Sequence, residues 1–365
     1  MTRLKRITLS ALLLMALGLN AQEEKTISPV QVTFLYPVGS NGQNAMDKTN
    51  NFSFNVLWGM NGGVNGFELG SIGNYNKGNV KGLQIGGITN ITTGSGNGAI
   101  IGGIANLTKE NAKGLQLAGI ANLHGGETSG LMLSGIANVA NKNMTGAQIS
   151  LVNNTFNYMN GFQMGLVNNA KSMKGFQLGL INYTKKMKGF QLGLINVSDT
   201  IHGEALGLIS VTKGGYYAVE VSNSEVLYAH TTYKMGVSHL YNIYTVGYGR
   251  YENKDIFSYG LGLGTMVPLA KRHSLAIEGI TNQMAYDNEW EEVNMLNKLN
   301  LTHQFHIANR ISLFGGPSLN YYITKKMVNG KYGTLDMPKP IWKHSGGDNM
   351  QYMWIGYNVG INIRI

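Results

Sequence analysis

A short motif repeats between residues 62 and 214, and it constrains the fold of this chain more than any other feature. Its glycines are 16 residues apart in the first units and 14 apart in the last. They are Gly66, Gly82, Gly98, Gly114, Gly130, Gly146, Gly161, Gly175, Gly189 and Gly203. Nine units end in Asn, from Asn74 to Asn196, and the tenth has Ser210 instead. So regular a period predicts an array of equivalent strand-turn units over residues 62–214.

Each unit has the pattern of one extended strand followed by a polar turn. In residues 189–196 (GFQLGLIN), Phe190, Leu192 and Leu194 share one face of an extended chain, and Gln191 lies on the other. Turn-forming residues and lysines connect the units. Glycine recurring inside a strand indicates that another backbone or side chain lies very close to it.

Two architectures fit these units. In a parallel β-solenoid the Phe/Leu face would fill the core, and Asn would stack on Asn from coil to coil. In an antiparallel membrane barrel the same face would meet lipid, with Gln and Gly facing the lumen. Strand length fits both, since about 9–11 residues span a membrane. The likeness of successive loops favours a solenoid, because barrel loops should alternate in type, and further barrel wall stays the alternative.

The carboxyl-terminal strand has the clearest alternation in the chain. From Met353 to Ile365 every second residue is apolar or Tyr, and the residues between them include Trp354, Gly360 and Asn362. An unbroken apolar face of this length is typical of the closing strand of an outer-membrane barrel. Similar alternation recurs upstream. It covers residues 257–263, 299–307 and 311–323. Residues 215–365 are therefore predicted to form an antiparallel outer-membrane-type β-barrel.

Turn lengths and aromatic residues support the same prediction. The turns at 268–273 and 308–310 are short, whereas those at 286–292 and 325–350 are longer, as in outer-membrane barrels. Tyr and Trp cluster near predicted strand ends, where interfacial girdles form.

Two strands are also predicted ahead of the repeats. Residues 30–36 and 52–58 alternate like barrel strands, so residues 22–61 are interpreted as amino-terminal barrel strands that lie beside the carboxyl-terminal strand. With about eight strands after Tyr216, the barrel would have about ten strands, or nearly twenty if the repeats belong to its wall.

The amino terminus has the features of a secretory signal peptide, residues 1–21. Arg3, Lys5 and Arg6 precede an apolar stretch from Leu9 to Leu19, and cleavage is expected near Ala21. The formal charge of the whole chain is +10. Removing the segment leaves 26 basic and 19 acidic residues, or +7. This balance favours anionic lipid head groups or polysaccharide phosphates as partners, and nucleic acid is not expected for an exported chain.

Composition excludes several classes of protein. The chain has no Cys, so disulfides, thiolate metal sites and a catalytic Cys are excluded. Only 13% of residues are charged, and 50 Gly accompany only 6 Pro, which fits neither a charge-rich disordered chain nor collagen. Apolar residues without long apolar runs indicate an all-β fold.

The repeats and their flanks resemble a family of exported bacterial surface-repeat proteins. The shared features are the Gly-aliphatic-Gln-aliphatic-Gly/Ala-Gly-aliphatic-aliphatic-Asn unit, residues 51–58 and residues 213–220, and together they cover nearly the whole mature chain. The resemblance implies a surface location and a barrel-like carboxyl end, and no assigned activity. Outer-membrane barrels usually finish on an aromatic residue, whereas this chain ends on Ile365.

Candidate chemical motifs are weak. His303 and His306 are three residues apart, which puts them on opposite faces of a strand and excludes a shared metal. The acidic residues of the 287–292 loop lack the alternating oxygen ligands of a calcium site. The glycines of residues 260–264 lie inside an alternating strand with no following helix, unlike a nucleotide-binding loop. We therefore expect no catalytic, cofactor-binding or metal-binding residues and no cofactor.

The sequence leads to one main functional expectation and two alternatives. The first is a non-enzymatic bacterial outer-membrane protein with a structural, passive-pore or surface-interaction role. Its expected partners are outer-membrane lipid, lipopolysaccharide and the barrel-assembly machinery, with extracellular polysaccharide or another surface ligand as a further candidate. The first alternative is a surface binding module, a solenoid adhesin or polysaccharide binder. The second is a barrel enzyme, which would need a Ser/His/acid set near one rim, for example around His239 or His273.

Overall fold

The structure is a computed structural model that describes residues 26–290 and 292–365. The predicted signal peptide, residues 1–21, lies outside the described residues. Strand accounts for 75% of the described residues and helix for 2%, which confirms the all-β prediction. The strands form a parallel β-solenoid of about 10 turns and a closed antiparallel barrel of 8 strands.

The solenoid contains twenty strands and one short 3₁₀ helix, Gly42–Asp47. The strands are β1 (Thr26–Leu35), β2 (Val38–Gly39), β3 (Lys48–Asn61), β4 (Gly63–Gly70), β5 (Gly73–Asn76), β6 (Val80–Gly86), β7 (Thr89–Thr92), β8 (Gly96–Gly102), β9 (Ala105–Thr108), β10 (Ala112–Ala118), β11 (Ala121–His124), β12 (Thr128–Ser134), β13 (Ala137–Ala140), β14 (Met144–Ile149), β15 (Val152–Met164), β16 (Val167–Leu178), β17 (Ile181–Leu192), β18 (Ile195–Ile201), β19 (Glu204–Leu206) and β20 (Ile209–Thr212).

Each 16-residue coil has a longer and a shorter strand, and each pairs in parallel with its equivalent one repeat away. Gly82 is opposite Gly98, and Asn90 is opposite Asn106. The repeats are therefore solenoid, not barrel wall. Close stacking explains the glycines: Gly82 has a φ of +119°, and a Cβ there would lie 2.0 Å from the carbonyl oxygen of Gly66.

The two faces of the solenoid strands point opposite to the expected direction. The expected core of Phe and Leu is wrong: Gln191 is buried, whereas Leu194 is 50% exposed. Two short strands per coil enclose a narrow interior. Side-chain amides can occupy it because most of them, such as Asn90, Asn106 and Gln191, form hydrogen bonds with the adjacent coil. The aliphatic face is left outside.

The prediction that residues 22–61 are barrel strands is also wrong for the residues that the structure describes. Strand β1 pairs in parallel with β3, and β3 pairs in parallel with β4, with Phe52 opposite Phe67. These segments are the first coils of the solenoid. The alternating pattern of these segments is compatible with barrel strands or with solenoid strands. Their parallel pairing, however, matches that of the repeats that follow.

The barrel is built from eight long strands, and shorter strands lie in its last loop. The strands are β21 (Tyr216–Ser224), β22 (Ala229–Val237), β23 (Leu240–Tyr251), β24 (Lys254–Ala270), β25 (His273–Tyr286), β26 (Asn294–His306), β27 (Ile311–Thr324), β28 (Met327–Val328), β29 (Lys331–Tyr332), β30 (Trp342–Gly346) and β31 (Asn349–Arg364). Antiparallel pairing of β31 with β21, Ile361 opposite Val221, closes the barrel. The strand count is thus eight and not about ten, because the amino-terminal strands take no part.

The two ends of the barrel differ in their loops. Short turns at residues 238–239, 271–272 and 307–310 share one end with Tyr216, where the barrel begins. The opposite end has the loops 287–293 and 325–348, as the turn lengths predict. A two-residue turn at 252–253 also lies at that end, and both of its residues have positive φ.

Candidate functional site

The outer surface of the barrel is covered by apolar side chains. On the closing strand Ile355 is 63% exposed and Ile361 is 45% exposed, whereas the intervening Trp354 and Asn362 are buried. The same outward exposure recurs on other strands. It includes Val221, Val246, Tyr259, Leu261, Leu263, Ile277, Leu299, Leu301, Leu313 and Leu319. The barrel therefore has its polar residues inside and its apolar residues outside, the reverse of a soluble barrel.

A buried ionic network crosses the lumen. The Lys234 ammonium donates hydrogen bonds to Glu220, at 2.6 Å, and to Glu278. The Tyr241 hydroxyl donates to Glu278 at 2.7 Å, and the Asn362 amide donates to Glu220 at 2.6 Å. These side chains come from five strands and are all buried. One ammonium faces two carboxylates, and the network fills the lumen near the short-turn end.

An apolar cluster fills the other end of the lumen. Leu227, Tyr322 and Trp354 are fully buried there, and Leu335 from the 325–348 loop packs onto them. A cavity of about 20 Å³ beside Lys298 lies between the cluster and the network, room for about one water molecule. The ionic network and the apolar cluster thus block the lumen between its two ends.

An asparagine ladder runs through the solenoid interior, as the stacking prediction anticipated. Asn90 donates from Nδ2 to Asn106 Oδ1 at 2.9 Å, and Asn106 donates to Asn122 at 2.9 Å. Each amide also donates to a backbone carbonyl of the next coil, for example Asn90 to Ile101 at 2.8 Å. The same pairing joins Asn168, Asn182 and the later coils. Buried amides in such a ladder stabilise the coil stack.

Glu68 places one carboxyl group among the buried amides of the solenoid interior. Glu68 is fully buried and accepts hydrogen bonds from Asn55, Asn61, Asn76 and Gln84. Burial raises its pKa to about 7, and the four donors oppose that shift. Burial shifts the pKa of a buried histidine in the opposite direction: it lowers the pKa of His124 to about 4.

The outside of the solenoid has an apolar edge where the two strands of each coil meet. One aliphatic residue per coil lies there, and each is between 39% and 53% exposed. They are Ile72, Ile88, Ile104, Ile120, Ile136, Leu151, Leu166, Leu180, Leu194 and Leu208. Near this edge the rings of Phe162, Phe176 and Phe190 stack 5.7 and 5.5 Å apart. Exposed apolar stripes of this kind are typical of interaction surfaces in proteins.

A polar cavity of about 590 Å³, the rim cavity, opens at the short-turn end of the barrel. Residues 201–204 of the solenoid line one side of it, and barrel residues line the other, among them Gln304, Arg310 and Arg364. His306 also lines it and hydrogen-bonds Ser274 at 2.9 Å and Ser312 at 2.7 Å. No carboxylate hydrogen-bonds His306 in the part of the chain that the structure describes.

The structure separates the other candidate residues. His303 lies 3.0 Å from His273, outside the barrel, whereas His306 faces the other way, as their spacing predicts. In the acidic loop, Glu289 and Glu292 are paired with Lys326. Residues 260–264 are strand, and among the described residues no group of three His, Cys, Asp or Glu could hold a metal ion.

Sequence reasoning missed the lumen network and the rim cavity. Lys234 occupies an inward position of an alternating strand, which is the signal that could have found it. The rim residues meet only through the barrel closure and the last solenoid coil, so no spacing reveals them.

Comparisons with known proteins identify no relative: no family model, curated protein or solved structure matches the chain. No helix within the described residues is long and apolar enough to cross a membrane.

Proposed function

We propose that this chain is a non-enzymatic bacterial outer-membrane protein in which the barrel is the lipid-embedded anchor and the solenoid is a surface-interaction element. Its role is structural and adhesive. Outer-membrane lipid and lipopolysaccharide are the partners of the barrel, whose insertion would use the barrel-assembly machinery, and the cleaved signal peptide directs export.

The apolar outer face of the barrel carries this proposal. Leaving Ile355, Ile361 and their neighbours in water would expose a large hydrophobic surface on the barrel strands, which soluble monomers avoid. In a bilayer, contact with lipid hydrocarbon tails would remove the free-energy cost of exposing these side chains to water. The closed eight-strand ladder also leaves no unpaired edge in the bilayer, as lipid requires of any spanning structure.

The packed lumen favours a structural role over passive passage. Solutes would have to displace the Lys234 network and the apolar cluster around Trp354. The exposed apolar edge of the solenoid supports the interaction role, since an equivalent aliphatic residue recurs in successive coils and offers a regular contact surface. The same edge also supports the alternative of a surface binding module.

Site-directed spin labelling tests the anchor. A label at position 361, in Ile361→Cys protein reconstituted into vesicles, should collide with dissolved oxygen more often than with a polar nickel chelate. A label at Lys331, in the long loop, is the matched control and should favour the nickel reagent. If position 361 also favours nickel, the lipid assignment is wrong. Heat-modifiable gel migration after detergent extraction of the outer membrane is the second readout.

A further inference from the structure

We propose that the rim cavity is a binding site for a small anionic carbohydrate, a sugar that carries a carboxylate or a phosphate group. Its volume of about 590 Å³ lies within the range of small-ligand pockets. The cavity is polar and is enclosed by barrel strands on one side and a solenoid coil on the other.

The first observation is an unpaired amide. Gln304 lines the cavity and is 1% exposed, and neither its Nε2 nor its Oε1 atom has a hydrogen-bonding partner. Its strand neighbours are Ser274 and Phe314. A buried amide with both groups free is costly in a folded protein unless a ligand completes it. An amide donates and accepts at adjacent atoms, which matches the hydroxyls of a sugar.

The second observation is a pair of arginines. The backbone nitrogen of Arg364 donates to the carbonyl oxygen of Arg310 at 2.7 Å, so the two residues are neighbours at the rim. Both line the cavity. Within the described residues neither forms an ion pair with a carboxylate. Guanidinium groups bind carboxylates and phosphates through two parallel hydrogen bonds, so this pair would hold the anionic group.

The third observation lies on the solenoid side. Glu204 lines the cavity, and its buried Oε2 atom has no hydrogen-bonding partner. Burial raises the pKa of this carboxyl, and the nearby His239 opposes the shift. An unpaired acceptor opposite the arginines suits a sugar hydroxyl. Inorganic phosphate alone would reach the arginines and leave Gln304 and Glu204 unmatched.

Calorimetric titration of the full-length protein in detergent micelles tests the site. The probes are galacturonate, glucose 6-phosphate, galactose, glucose and inorganic phosphate. We expect an acidic sugar to bind at least tenfold more tightly than its neutral counterpart and more tightly than phosphate. Galacturonate and glucose 6-phosphate distinguish a carboxylate ligand from a phosphate ligand.

Variants locate the binding. Arg310→Gln and Arg364→Gln should each weaken the acidic sugar at least tenfold, and Gln304→Met should weaken it without loss of heat-modifiable migration. Arg250→Gln, at the opposite end of the barrel, is the matched control and should bind normally. The proposal would be overturned if neither acidic sugar binds, if the acidic sugar that binds is matched in affinity by its neutral counterpart or by inorganic phosphate, or if the arginine variants keep their affinity. None of these results depends on whether lipid surrounds the barrel, so they are separable from the anchor test.

Discussion

Single buried side chains have unusual chemistry in the solenoid, because many of the side chains in its interior are amides. Glu68 occupies the position that Gln84 and Gln116 hold in later units. Its carboxyl accepts four amide hydrogen bonds, and no cation pairs with it within the described residues. Burial therefore places an ionisable group where the repeat elsewhere uses a neutral one.

Replacing this carboxyl should change how stability depends on pH. The pKa of Glu68 is about 7 in the folded chain against an ordinary 4.5. As pH rises between these values the unfolded chain loses its proton first, so stability falls by up to about 3 kcal/mol. Glu68→Gln should remove that fall, which thermal unfolding by circular dichroism at about pH 5 and about pH 8 would measure.

The substitution should be accommodated by local rearrangement. The Oδ1 atom of Asn76 and the Oε1 atom of Gln84 have no hydrogen-bonding partner, so both amides can flip to accept from the new amide. Glu110→Gln, on an exposed turn, is the control and should leave the pH profile unchanged. An unchanged profile in Glu68→Gln would contradict the raised pKa.

A second buried amide should be replaceable with a gain in stability. Gln116 lies between Ile100 and Met132 of the adjacent coils, and neither of its amide atoms has a partner. Gln116→Met should raise stability by about 1–3 kcal/mol, since it removes two unpaired buried groups. Gln177→Met is the opposite control, because Gln177 is hydrogen-bonded to Gln163 and Gln191, and it should lower the melting temperature. If both substitutions destabilise the chain equally, hydrogen-bond pairing does not explain the difference.

Coil-to-coil contact sets the structure of each element, and the glycine column is its tightest point. Gly114 has a φ of +106°, and a Cβ there would lie 2.2 Å from the Gly98 carbonyl oxygen. The sequence predicted this close approach from glycine recurring inside strands. Neither the backbone geometry nor the space admits a side chain.

Gly114→Ala should therefore destabilise the solenoid by several kcal/mol, on the order of 2–4. Chemical unfolding followed by circular dichroism would measure the loss. Gly279→Ala is the matched control: it lies in a barrel strand, and a Cβ there meets nothing within 4 Å. Equal stability of the two variants would show that the glycine column is not required.

Sequence reasoning identified the elements better than their orientation. Strict periodicity revealed the units, and alternation showed that Gln191 and Leu192 point to opposite sides. Alternation alone does not say which side is interior. That choice depends on whether amides find partners on the next coil, which is a property of the stack. For the same reason the strands at residues 30–36 and 52–58 were recognised, while their parallel partners were not.

The whole molecule combines two folds that both bury polar side chains and expose apolar ones. In the barrel the polar interior is tied together by Lys234, whose ammonium joins carboxylates from two other strands. Residues 353–365 were correctly predicted as the closing strand, because an unbroken alternating face of this length is characteristic of barrel strands. The lumen residues could not be predicted, since the pairing depends on strand order around the barrel.

Removing the central cation should destabilise the barrel. Lys234→Met leaves Glu220 and Glu278 buried without their partner, and breaking such a pair costs about 3–5 kcal/mol. The measurement is the temperature at which heat-modifiable migration is lost. Adding Glu220→Gln and Glu278→Gln to the same chain should recover most of the loss, because no unpaired charge then remains. Failure of that triple variant to recover would show that the effect of Lys234→Met comes from packing.

The packed lumen also predicts the electrical behaviour of the molecule. Single-channel recording of the refolded full-length protein in a planar bilayer should show no steady ionic current, because the ionic network and the apolar cluster block the lumen. A general porin in the same bilayer is the positive control. A stable open conductance would favour passive passage over the structural role.

Neighbouring coils pair in the same register, so units can be added or removed without changing the pairing between strands. Gly82 meets Gly98 as Gly98 meets Gly114, so a tandem duplication of one unit would create no new kind of contact. Each added unit would add one coil of about 4.8 Å to the stack, and the barrel strands would be untouched. The number of coils can therefore change by whole units while the contacts between coils stay the same. We expect natural variants of this protein to have more or fewer units.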